Sequence, residues 1–421
     1  MRKCSKSAYL SSRDAAASLE PSRSSLATHF FCVLFNVFFV VWQKMKFPGI
    51  SELNKPLIML VVGFYTFAAA ILLRRLLYLT SAGGDSFQTA DWLINFSSGP
   101  IRRGFSGEFV FFASSVTGIG PLELIAFLQG SFALMIIASL TALFLKTQNV
   151  SLSALLLLNP FLIAFWVNDT NLAFRKEILG IGAFAPLALN QKYLGKILSC
   201  GIFAMAVTFH EGNIFFAPFL IFAHIIYDRT KKPVASGVFI ALTSVFALSF
   251  AIIYIDLDST AQMCQRLISA GLDERLCDGI FPWLAEGFDR TIIDVLIMVD
   301  QANLLLAMSL IAVVLIFLSH ISFLLFDSKI ERLTIFMSAA FFIPIFFLAT
   351  DWSRWLSMIV FAVTYCFFIK LADQKDFQNS FSPVYFLSIL SAFLVIGITG
   401  SIPTVTSGSV FTLASVLGKV F

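Results

Sequence analysis

The stretch "LIMLVVGFYTFAAAILLRRLLY", Leu57 to Tyr78, decides how the rest of the chain is read. A helix crossing the roughly 30 Å hydrocarbon core of a bilayer needs about 20 apolar residues. This run meets that requirement, with Arg74 and Arg75 near one end as its only charges. Apolar runs recur at Leu122–Leu145, Leu152–Val167, Glu177–Leu189, Ile197–Phe209, Ile214–Tyr227, Val234–Tyr254, Leu304–Leu325, Leu333–Ala349, Trp355–Lys370 and Val384–Ile398. Of 421 residues, 58% are hydrophobic and 13% charged, and the mean hydropathy is +0.88. A soluble chain of this length carries more polar surface than that. The expected fold is all-α, a polytopic integral membrane protein with about 11 transmembrane helices, within a range of about 10 to 12.

Two of the expected spans are short. Glu177–Leu189 and Ile197–Phe209 hold roughly 13 residues each, about 20 Å of helix. Short helices are tolerated where an aqueous cavity notches the membrane or neighbouring protein covers their ends. Orientation follows from the basic residues of short connections. Lys146, Lys192, Lys196, Arg229, Lys231, Lys232, Lys329, Arg332, Lys370 and Lys375 fall on alternate connections, which places that side in the cytoplasm. Acids such as Asp256, Asp258, Asp273, Glu274 and Asp278 mark the other side as external. The external loops are expected near 79–121, 168–177, 255–303 and 350–355.

Residues 1–44 form a polar, Ser-rich extension with one short apolar segment. Met45 opens "MKFPGISELNKPLIML" as a natural start would, and translation is expected to begin there, leaving 45–421 as a single polytopic membrane domain. The six cysteines show no metal-ligand spacing. Cys264 and Cys277 lie in the longest polar loop, in "CQRLISAGLDERLC", and a structural disulfide is expected in an oxidising compartment. Two unpaired thiols on a helical hairpin are the other outcome.

Against this apolar background the segment "DWLINFSSGPIRRGFSGE", Asp91–Glu108, is dense in charge. With "NDTNLAFRKE" (Asn168–Glu177), "FHEGN" (Phe209–Asn213) and "TDWSRW" (Thr350–Trp355), it falls on the external side of the expected topology. Ionisable groups at membrane depth cost several kcal/mol unless paired or hydrated, so their gathering at one level points to a polar cavity formed by the external loops. Arg102, Arg103, Arg175, Lys176 and Arg354 run against the positive-inside trend and suit a phosphate or pyrophosphate, to which guanidinium offers a two-pronged fork. Gly99, Gly104 and Gly107 could let backbone N–H groups approach an anion; the alternative is that they only turn the loop.

Group transfer at such a site needs a base, or a divalent cation beside the leaving phosphate. Asp91, Glu211 and His210 are the candidate catalytic residues. Asn95, Glu108, Asp169, Glu177 and Asp351 are candidate supporting groups. Each carboxylate could equally neutralise an arginine in a structural ion pair, and Asp351 with Arg354, one helical turn apart, could pair within their helix. No cofactor is called for by any motif, and a divalent cation is left open. No basic stripe interleaved with aromatics suggests nucleic acid. No Walker, GxSxG or HExxH motif is present, so an enzyme here would take a lipid-linked donor rather than a nucleotide sugar.

On "DWLINFSSGPIRRGFSGE", "FRKE", "HEGN" and "DWSRW", in that order, the chain resembles the Wzy-type and EpsG-like repeat-unit polymerases of bacterial surface polysaccharides. Its plan over most of Leu57–Lys370 is also similar to that of GT-C integral membrane glycosyltransferases. The resemblance implies a polyprenyl-pyrophosphate-linked oligosaccharide substrate and glycan extension on the periplasmic face of the bacterial inner membrane. The bilayer and other polysaccharide-assembly proteins would be partners. Carried over by position, Arg102 and Arg103 would contact pyrophosphate, and Asp91 would stand where the external acid of the GT-C plan stands. The chain departs from the Wzy pattern in lacking a long external loop with repeated arginine motifs between later spans. A single-sugar transferase using a polyprenyl-phosphate donor, and a transporter or flippase of lipid-linked glycans, therefore stay open beside the polymerase.

Overall fold

The computed structural model of the protein describes residues 55–147, 149–163, 165–166, 172–189, 193–227, 234–251, 257–284, 328–348 and 352–373, with scattered positions in 312–326. The described residues fall almost wholly in one compact unit, Pro56–Phe421. The expected extension 1–44, the start at Met45 and the span Val384–Ile398 lie outside the described residues, as does most of Leu304–Leu325.

Among the described residues every regular element is helical and no strand occurs. Helix α1 (Lys55–Ser81) is apolar throughout its middle and ends at two glycines. The Gly84 N–H reaches back to the Leu79 carbonyl at 2.8 Å, and both Gly83 and Gly84 take positive φ, the left-handed exit that glycine permits without a Cβ clash. Helix α2 (Gly104–Thr117) follows and ends at Gly118, again left-handed. Helix α3 (Pro121–Lys146) opens with proline at its first turn and Glu123 near its start, and closes on Lys146. Each residue suits its end of the helix dipole.

Helices α4 (Tyr193–Phe209), α5 (Ala217–Tyr227) and α6 (Val234–Ala251) come next. The amphipathic α7 (Leu257–Ser269) and the long α8 (Trp352–Asp373) complete the main set. Helices α1, α3 and Arg354–Ala372 within α8 are long and apolar enough to cross a membrane, and four shorter apolar helices accompany them. These are the helices of a membrane protein. Helix α8 is the centre: 94% of its apolar window is buried inside the protein. It packs on α3 and α5, with Tyr365 Oη 2.5 Å from Ser139 Oγ and the Tyr365 ring stacked on Phe184. Ser357 Oγ donates to the Phe161 carbonyl at 3.2 Å, so that hydroxyl is satisfied within the bundle rather than in oil.

Several expected spans are broken in the structure. Leu152–Val167 splits into Val150–Leu157 and Pro160–Ile163: Pro160 has no N–H to continue the ladder, and the Asn159 side chain accepts the Phe161 N–H at 3.0 Å to start the new turn. Glu177–Leu189 becomes two short helices, Ile178–Gly182 and Ala185–Leu189, with Pro186 in the second. Leu333–Ala349 is likewise Lys329–Ala340 and Ile345–Leu348, divided before Pro344. The segment expected as an external loop near 79–121 holds the short helix Gln88–Trp92 and all of α2.

Candidate functional site

The first loop is shaped by its own side chains. Asp85 Oδ1 accepts the N–H groups of Phe87 and Gln88 at 2.9 and 2.7 Å, which starts the helix Gln88–Trp92 and turns Asp91 inward. Trp92 Nε1 then donates to the Phe174 carbonyl at 3.0 Å, and Gln129 Nε2 donates to the same oxygen at 2.6 Å. One carbonyl thus fastens the Asp91 segment and α3 to the "FRKE" segment. Asparagine 213 adds a further tie, its Nδ2 donating to the carbonyls of Ala206 at 2.8 Å and Lys176 at 3.3 Å.

Arg103 sits at the head of α2 with φ 67, the one non-glycine residue in the left-handed region among the described residues. That conformation costs an ordinary residue roughly 1–2 kcal/mol, and strain of this kind concentrates at functional positions. The three loop glycines do not present N–H groups to an anion. Those of Gly99, Gly104 and Gly107 donate to Phe96, Ile101 and Ile94 carbonyls at 3.0, 3.3 and 2.9 Å. Gly104 and Gly107 serve close packing, since a Cβ on Gly107 would lie 2.2 Å from the Ile94 carbonyl oxygen and one on Gly104 2.2 Å from the Phe96 ring, whereas Gly99, with φ 106 and open space around it, turns the loop.

The charged side chains converge. The Arg103 guanidinium grips Glu211 with two prongs, Nε at 3.0 Å from each carboxylate oxygen and Nη2 at 2.7 Å from Oε1. Its Nη1 lies 3.6 Å from Asp91 Oδ1. Lys176, with no exposed surface, stands 3.5 Å from the same oxygen and donates to the carbonyls of Phe209 and Arg103 at 3.2 and 3.4 Å. Deeper, Glu177 lies 3.3 Å from Arg354 Nη1 and 3.6 Å from His210 Nε2. Arg175 is close enough to act on the Glu177 charge.

His210 Nδ1 accepts the Gly212 N–H at 2.9 Å, which assigns the ring proton of the neutral form to Nε2, facing Glu177. As arranged, His210 offers a proton rather than a lone pair. Burial, reinforced by the Arg103 charge, pushes it down to about 4. Burial likewise lowers Lys176 to about 8, against the pull of Asp91. Burial works against charge on Glu211 too, yet Arg103 overcomes it and holds the carboxyl well below its ordinary range.

Beside this cluster opens a small cleft. Arg102, Arg103, Thr208 and Glu211 form its polar side, and Phe105, Val207, Phe246 and Ala247 its apolar side. Arg102 is steadied by a bond from Nη2 to the Leu284 carbonyl at 3.3 Å. Glu211 is the carboxylate of the cluster that lines the cleft; Asp91 and His210 lie beneath it, buried.

Asp91, Arg102, Arg103, Lys176, Glu177, His210, Glu211 and Arg354 are therefore brought together. Asp169 and Asp351 lie outside the described residues. Arg354 reaches Glu177 across the fold. Glu108 points away from the cluster, into an ion pair with Arg266 and a bond from the Phe96 N–H at 2.8 Å. Asn95 folds its own loop, Oδ1 accepting the Ser97 N–H at 3.0 Å, and its Nδ2 reaches the Met263 carbonyl at 3.5 Å. Cys264 and Cys277 form the disulfide, Cα atoms 5.8 Å apart. Among the described residues no group of three or more His, Cys, Asp or Glu side chains is placed to hold a metal ion. The sequence reading missed Thr208 and Phe246, which carry no signal alone, and Asn213 and Arg266, which stand inside quoted motifs.

The fold and site define an α-helical membrane protein with a buried ionic cluster at the edge of an amphipathic cleft. No family model, curated protein or solved structure matches the chain.

Proposed function

We propose that this protein works in bacterial envelope glycan assembly, polymerising or transferring an oligosaccharide carried on a polyprenyl pyrophosphate. The proposal places it in the inner membrane as a multi-pass protein of about 11 spans, with the cleft on the periplasmic side. The observation that carries the reading is the cleft itself. Two adjacent guanidiniums face aromatic and aliphatic walls in one small space, a combination suited to a headgroup of phosphates with a hydrocarbon tail.

In the proposed reaction an acceptor hydroxyl gives its proton to Glu211 as its oxygen bonds the anomeric carbon of the donor. The bond from that carbon to the pyrophosphate oxygen breaks, and the pyrophosphate leaves with the electron pair. Arg102 and Arg103 would stabilise the charge that grows on it.

Mass spectrometry of lipid-linked and surface glycans from a strain lacking the gene tests the reading. Chains collapsed to one intact repeat unit are the expected result. Chains of normal length lacking one sugar in each repeat would replace the polymerase with a single-sugar transferase. Unchanged glycans would overturn the reading.

A further inference from the structure

The Arg103–Glu211 pair has an unusual setting for a salt bridge. Arg103 and Glu211 keep 11% and 17% of their side-chain surface exposed, against none for Lys176 and 5% for Asp91. Both line the cleft. The arginine is also fixed from behind. Its carbonyl accepts from Lys176 Nζ and, at 3.0 Å, from Ser106 Oγ, and its Nη1 faces Asp91 on the inner side. The fork that faces Glu211 is thus held from behind, while the carboxylate stands on the first residue of the 3-10 segment Glu211–Phe216, at the segment's free end.

A carboxylate held by both prongs of a guanidinium occupies the positions that two phosphate oxygens would take. We propose that Glu211 is an exchangeable internal ligand. It fills the Arg103 fork while the cleft is empty, and an entering pyrophosphate displaces it and takes the fork. This rests on the reading of the cleft as a phosphate site and adds how that site is kept while empty. An arginine at this depth needs its charge compensated, and Glu211 supplies that compensation beside Asp91. Arg102, anchored on the Leu284 carbonyl, stands beside the fork to meet the second phosphate. Displacement also releases a carboxylate into the cleft, where an acceptor hydroxyl would lie.

Competition has a signature that a static structural pair lacks: removing the internal ligand tightens anion binding. The experiment is calorimetric titration of the purified full chain in detergent with inorganic pyrophosphate and, separately, with farnesyl pyrophosphate. If the fork is open about a tenth of the time or less, Glu211→Gln gains at least about tenfold in affinity. Glu211→Asp, which keeps a charge but draws it back by one methylene, should shift the same way and guards against poor folding of the first variant. Arg103→Gln added to either should abolish the gain. Affinity unchanged or weakened in both Glu211 variants overturns the proposal, as does absence of binding throughout. Preference for farnesyl pyrophosphate over the inorganic ion supports exchange with a lipid headgroup, the source that Phe105 and Phe246 favour; equal affinities with the same gain support exchange with a soluble anion. Tightening alongside unchanged cellular glycans would keep the exchange and remove the glycan reading; collapsed glycans without tightening would do the reverse.

Discussion

Lys176 donates its ammonium to the carbonyl oxygen of Arg103 at 3.4 Å, and so a lysine with no exposed surface holds the one left-handed non-glycine residue among those described. The same ammonium bonds the Phe209 carbonyl and faces Asp91. Three segments far apart in sequence are joined at one nitrogen.

Replacing it tests that role. Lys176→Met keeps the length of the side chain and removes the charge, leaving Asp91 with Arg103 as its remaining partner in the cluster and two carbonyls without their donor. Breaking a buried ion pair by removing one member costs about 3–5 kcal/mol. Thermal unfolding in detergent should show a loss of that order, and Lys176→Arg should not restore it, since a planar guanidinium cannot occupy the volume of an ammonium. A wild-type melting temperature for Lys176→Met would contradict the linkage.

Arg103 combines two demands that substitutions can separate. The left-handed backbone favours glycine, so Arg103→Gly should retain about 1 kcal/mol more stability than Arg103→Ala. The fork demands a guanidinium, so Arg103→Lys should fold near normally and still lose at least about tenfold in activity if two-pronged phosphate contact matters. Parallel melting curves and glycan-length assays resolve the two effects. Full activity in Arg103→Lys would exclude the fork.

The glycines make a sharper contrast. A methyl on Gly107 would meet the Ile94 carbonyl oxygen at 2.2 Å, whereas one on Gly201 would meet nothing within 4 Å. Gly107→Ala should destabilise by about 1–3 kcal/mol through overpacking. Gly201→Ala, inside α4, should be neutral or gain up to about 1 kcal/mol from helix propensity. Equal melting temperatures for the two variants would mean that the Asp91–Glu108 loop does not pack as described.

Apolar runs were the most legible part of the chain. Leu57–Tyr78 and Leu122–Leu145 lie inside α1 and α3 because length and hydropathy alone determine such helices. Breaks at Pro160 and Pro344 were written in the sequence as prolines, but hydropathy outweighed them in the reading. Helix α2 was hidden because its residues Gly104–Glu108 look like loop. The Gly107 N–H bonds the Ile94 carbonyl at 2.9 Å as the helix begins, a contact with no local signature. The charged motifs identified the members of the site, and opposite charge brought most of them together. Which acid would meet which base was not legible: Arg354 could pair within its own helix or across the fold, and only tertiary packing puts it on Glu177. Glu108 shows the same limit, since Arg266 lies 158 residues away along the chain.

Proton uptake gives the last prediction. The folded protein holds His210 at about 4, against an ordinary value of 6.5, because burial and Arg103 oppose its charge. Above pH 6.5 the ring is neutral whether the chain is folded or not, and His210 contributes no pH dependence. Between 6.5 and about 4 the unfolded chain binds a proton that the folded protein refuses, so stability falls as the pH drops. The full loss, reached below about 4, is about 3 kcal/mol for this one group. His210→Asn, whose side-chain oxygen can accept the Gly212 N–H without titrating, should flatten that part of the slope while leaving stability at pH 8 within about 1 kcal/mol. Melting temperatures of both proteins across pH 4–8 decide it, and parallel curves would show that folding leaves the titration of His210 unchanged.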